Sequence, residues 1–128
     1  MKLNPLLFLT ALLDGLAGLA FVFAPGEILS SIGIPVSVGS TWLAQMLGAA
    51  LLSLAWLNWL QRYARVGGVL GRTVLLPNLM FSSVGFWLTL SAWRHEPKGT
   101  GALIPALLLG SLAVAFGLRL FGPSRAGD

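Results

Sequence analysis

The sequence contains no cysteine among its 128 residues. Disulfides, Cys-ligated zinc, iron–sulfur clusters and thiol nucleophiles are therefore excluded. Charge is nearly as scarce. Asp, Glu, Lys and Arg make up 9% of the chain, against about 25% in ordinary soluble domains. A water-facing surface for a domain of this size cannot be assembled from so few charges, and lipid is the natural solvent for what remains.

There are four acidic residues and one histidine. No paired carboxylates, no nucleophile–base–acid set and no Gly-rich nucleotide loop with a lysine are present, so no catalytic residue is proposed. His95, in the stretch "AWRHEPKG", reads as a surface residue of an outer loop. One histidine makes no metal site, and none is expected. No histidine lies inside an apolar run, so haem or chlorin ligation by histidine within a membrane is ruled out. Met46 and Met80 read as packing residues. The basic residues form no stripe with readout groups beside it, which argues against nucleic acid as a partner.

What the sequence does have is length in its apolar runs. Four are long enough to cross a hydrocarbon core of roughly 30 Å, which takes about 20 helical residues. They cover about 5–24, 41–60, 69–90 and 101–120. The runs do not alternate as barrel strands do, and they lack the continuous polar face of a soluble amphipathic helix. The expected fold is all-α: an integral membrane four-helix bundle forming a single transmembrane domain. Pro25 and Gly26 end the first run. In the linker after it, "EILSSI" is expected to form a helical turn or two in the outer interface.

Orientation follows from the basic residues. Lys2, Arg62, Arg65, Arg72, Arg119 and Arg125 fall on one side of the runs, Arg94 and Lys98 on the other. The positive-inside rule then places both termini and the central loop in the cytoplasm. Trp42, Trp87 and Trp93 lie toward the outer ends of their spans, Trp56, Trp59 and Tyr63 toward the inner end of the second, as interfacial belts. The first 24 residues loosely resemble a cleavable signal peptide, but the basic n-region is Lys2 alone and Asp14 interrupts the run. A retained first span is the expectation.

Asp14 is the outstanding polar group. It lies nine residues beyond Pro5, roughly 13 Å along a helix. A carboxylate at such depth costs about 2.5–3.5 kcal/mol, so it faces the interior, pairs, or takes up a proton. Equal counting in the other spans reaches Asn78, Ser111 and a position beside Ser53. With Arg72 reaching inward, these form a candidate intramembrane polar cluster of Asp14, Arg72, Asn78, Ser111 and Ser53. Pro77 withholds an amide from the Thr73 carbonyl and is expected to kink the third span. Asn58 reads as interfacial. Two roles stand open for the cluster: fixing which helices meet, or lining a pocket or proton-titratable site around Asp14.

Small residues recur at close spacing, with Gly15, Gly18, Gly48, Gly71, Gly110 and Gly117 the main candidates for helix packing. Pairs such as Gly67 and Gly71 sit one turn apart.

The stretches "FVFAPGEILSSIGIP" and "LAQMLGAALLSLAWLNWL", followed by an Arg-bearing central loop, resemble small bacterial four-helix inner-membrane proteins of the DoxX-like kind. The resemblance spans nearly the whole chain and rests on soft motifs: the end at Ala24, Pro25 and Gly26, and a second helix centred on Gly48. It implies a four-span bundle in the cell inner membrane with both termini inside, and no catalytic residue. The functional expectation is a non-enzymatic accessory or structural subunit of a membrane complex, meeting membrane lipid, other membrane subunits or further copies of itself. The alternative is a binding or carrier protein for a lipophilic or proton-coupled solute, with its pocket around Asp14 and Asn78. No cofactor is expected beyond a bound lipid or quinone.

Overall fold

A computed structural model describes residues 3–63, 69–95 and 103–122. Every regular element in it is helical: α1 (Pro5–Phe23), α2 (Pro25–Ser31), α3 (Val38–Leu60), α4 (Val69–His95) and α5 (Leu103–Phe121). α1, α3, α5 and most of α4, over Gly71–Arg94, are long and apolar enough to cross a membrane. The chain divides into two compact units, Met1–Tyr63 and Ala64–Asp128. In the first, α1 packs on α3 with α2 beside them; in the second, α4 packs on α5.

Local chemistry sets the ends of the first unit's helices. Asn4 caps α1, its Oδ1 accepting from the Leu6 amide at 3.2 Å. Pro5 follows at the first helical position, where its missing N–H costs nothing. Pro25 ends α1 and opens α2 in the same way, with Ala24 as the hinge between them. α2 closes on a Schellman turn. Gly33, at φ +76°, donates to Ser30, and Ile34 donates to Leu29 at 2.9 Å. Ser37 then caps α3 through a reciprocal box with Ser40. The linker after the first run thus folds as a seven-residue helix, the turn or two expected, followed by a capped start to α3.

Polar contacts near both ends pin α1 along α3. The Asn4 amide donates to the Arg62 carbonyl at 2.6 Å, joining the start of one helix to the end of the other. Near the far end, Gln45 Nε2 donates to the Val22 carbonyl at 3.3 Å. The face that α3 buries runs through Ala44, Gly48, Leu51, Ala55 and Asn58, in steps of four and three. Leu7, Ala11, Asp14 and Gly18 repeat that spacing on α1. This is the seam by which two helices stay in contact over several turns.

In the second unit α4 runs unbroken through Pro77. It buries Gly71, Val74, Leu75, Asn78 and Ser82, while α5 buries Ala106, Leu112 and Phe116. α4 also extends beyond the expected end of its span. Arg94 and His95 close a helix where a loop was expected. Lys2, Arg65, Gly67, Glu96, Lys98, Gly101 and Arg125 lie outside the described residues.

Candidate functional site: a buried carboxylate and an apolar groove in the first hairpin

Asp14 sits on the buried seam of α1, 7% exposed. Its partner is Asn58, which is wholly buried and donates from Nδ2 to Asp14 Oδ2 at 3.3 Å. Asn58 is therefore a core residue, not an interfacial one. The level contacts explain why depth counting missed it. Asn4 against Arg62 and Gly18 against Gly48 put position 52 level with Asp14. Asn58 is six residues further on, roughly 9 Å along the axis. Helical side chains lean toward their own N-terminus. In an antiparallel pair the two therefore lean toward each other, and the offset closes.

Ser53 has the right depth and the wrong face. It is exposed, and its hydroxyl donates to its own helix at the Ala49 carbonyl, 3.0 Å away. It does not join Asp14. Ser111 is exposed on α5 and its hydroxyl donates to the Leu108 carbonyl at 2.8 Å. Asn78, on the same hairpin, is 1% exposed and donates to the Val74 carbonyl one turn back, at 2.9 Å. Arg72 is exposed on α4. The second hairpin thus gathers neither Arg72 nor Ser111 around Asn78.

Buried polar groups that sequence reading passed over are Asn4 and Thr10. Asn4 joins the two helices and caps one. Thr10 returns its hydroxyl to Leu6 at 2.7 Å, a bond that removes the cost of burying it. Asn58 did leave a signal, because it continues the series Ala44, Gly48, Leu51, Ala55.

The glycines sort by what a Cβ would meet across the interface. A Cβ on Gly18 would lie 2.9 Å from the Gly48 carbonyl, and one on Gly48 would lie 2.8 Å from the Gly18 carbonyl. The backbones touch there, and no side chain fits between. Gly15 has room for a Cβ, 3.7 Å from that of Ala55, as does Gly117, 3.9 Å from Leu79. At Gly110 the neighbour is the Phe86 ring at 3.1 Å, a side chain able to move. Gly71 is buried.

Along the seam, an open groove of about 230 Å³ is lined by Ala11, Gly15, Leu52, Ala55, Trp56 and Trp59. Trp59 ends it, tilted against Phe8 with ring centroids 5.7 Å apart. Beyond Trp59 the Arg62 guanidinium lies 4.3 Å from the Trp59 ring and 4.7 Å from the Tyr63 ring, and it donates to the Trp59 carbonyl at 2.6 Å. On α4, Arg94 lies 5.3 Å from the Trp87 ring.

Comparison of the chain with models of known families, with curated proteins and with solved structures gives no match.

Proposed function

We propose that this chain is a multi-pass integral membrane protein of the DoxX-like kind, with both termini cytoplasmic and its four long helices gathered in one bundle. In this reading it resides in a bacterial inner membrane and acts by lateral helix contacts, as an accessory or structural subunit. One observation carries the reading. Each long helix buries only 17–28% of its most apolar 18-residue window. The outward faces hold large side chains such as Leu16, Phe23, Leu107 and Leu118. Water penalises such surface at about 25 cal/mol per Å². Lipid and neighbouring membrane helices do not.

Purification of the full chain in mild detergent, followed by native mass spectrometry, tests the proposal. A stoichiometric membrane-protein partner supports the subunit role. A chain that stays dispersed in buffer without detergent overturns the membrane reading altogether.

A second reading is the binding of a lipophilic molecule, and the groove over Gly15 beside the Asp14–Asn58 pair favours it. The lining of that groove comes from α1 and α3.

A further inference from the structure

We infer that the groove between α1 and α3, together with Arg62 at its end, is a binding site for an anionic glycerophospholipid. One acyl chain lies over Ala11, Gly15 and Ala55, and the lipid phosphate meets the Arg62 guanidinium. The inference rests on the membrane reading and deepens the second of the two functions above by naming the ligand class.

The groove fixes the apolar part of the occupant. Its floor is three residues with little or no side chain, and its walls are Leu52, Trp56 and Trp59. From Leu52 to Trp59 it runs roughly 10 Å along α3. That length and a volume of about 230 Å³ suit part of one hydrocarbon chain.

Charge fixes the other part. Arg62 lies two residues beyond the end of α3, a 23-residue helix, where the headgroup layer of a bilayer begins. Its hairpin contains two acids only. Asp14 is buried against Asn58, and Glu27 is on α2, beyond the opposite end of α1. Arg62 therefore has no counter-ion within its hairpin. One of its N–H groups is spent on the Trp59 carbonyl, and a guanidinium has five in a planar fork that matches phosphate. The guanidinium also lies within cation–π distance of the Trp59 and Tyr63 rings. Trp59 belongs to both the groove and the cation site, so one ligand with an apolar chain and an anionic head fills both. A free phosphate satisfies only the second.

The test is native mass spectrometry of the full chain in detergent, titrated with phosphatidylglycerol or with phosphatidylcholine bearing the same acyl chains. Phosphatidylglycerol is expected to be retained preferentially. Arg62→Gln is expected to lower its retention roughly fivefold, the factor that one basic residue is worth at an anionic surface. Arg94→Gln removes an equal charge from an exposed Arg–Trp pair on α4 and is expected to change nothing. Trp56→Ala, which removes an exposed groove wall, is expected to lower retention of both lipids. Helicity by circular dichroism confirms that each variant is folded. Equal retention of the two lipids, an unaltered Arg62→Gln, or an equal loss in Arg94→Gln overturns the inference while leaving the membrane reading intact. Unchanged retention in Trp56→Ala overturns the placement of the chain. Solubility without detergent overturns both readings.

Discussion

The carboxylate of Asp14 on α1 accepts from the side-chain amide of Asn58 on α3, 44 residues away in sequence, at 3.3 Å within a buried seam. A carboxylate and a carboxamide share nearly the same shape, and the close approach of Gly18 to Gly48 sets the rotation of α3 at which the two meet. A register that left either group buried without a partner would be costly, so the pair disfavours other alignments of α1 on α3.

Asp14→Asn keeps the shape and can keep the hydrogen bond after an amide flip. It is expected to leave the hairpin folded, with a small change in stability. Asn58→Leu strands the carboxylate without that donor and is expected to cost about 1–3 kcal/mol or more. Unfolding by denaturing detergent, followed by circular dichroism, measures both. If Asp14→Asn unfolds the protein while Asn58→Leu does not, the aspartate is held by a charge partner, and Arg72→Gln is the next variant to combine with it.

Gly18 and Gly48 admit no added carbon. Alanine at either position forces the backbones apart and is expected to cost about 1–3 kcal/mol, the range for overpacking a tight contact. Gly15→Ala and Gly117→Ala place their new methyl at ordinary contact distance and are expected to be neutral or mildly stabilising. The same unfolding assay ranks the four variants. Equal losses at all four positions count against the close approach.

Asn4 carries a cap and a cross-link through different atoms. Asn4→Ala removes only the side-chain cap, because the backbone N–H to Arg62 remains. The expected loss is about 1 kcal/mol, appearing as faster hydrogen exchange confined to the first turn of α1. Faster exchange at the end of α3 as well would mean that the cap also holds the inter-helix bond.

The absence of cysteine makes topology directly testable. Single cysteines at Ser31, on α2, and at Tyr63, after α3, are both at exposed positions and at opposite ends of the first hairpin. A membrane-impermeant maleimide applied to sealed cells is expected to label Ser31→Cys and not Tyr63→Cys, with the order reversed in inside-out vesicles. Labelling of both from one side rejects α3 as a span.

Much of the architecture was legible in the residues themselves. Four apolar runs of span length fix the number of long helices, because local hydrogen bonding and side-chain polarity decide that without reference to partners. Pro25 marked the break after the first run, since a ring without an N–H begins a helix better than it continues one. Level within the first hairpin was legible too: Ser53 stands close to Asp14 along the axis, as counting along the run indicated. Face was not. Counting measures distance along an axis, whereas the partner of Asp14 depends on rotation about it. Only the packing of α1 on α3 set that rotation, through the backbone contact of Gly18 with Gly48, and so brought in Asn58 and turned Ser53 outward. The glycines follow the same division. All of them announced close packing by composition, but whether a glycine faces a carbonyl, as Gly48 does, or a yielding side chain, as Gly110 does, is a property of the neighbour across the interface, which only the tertiary structure supplies.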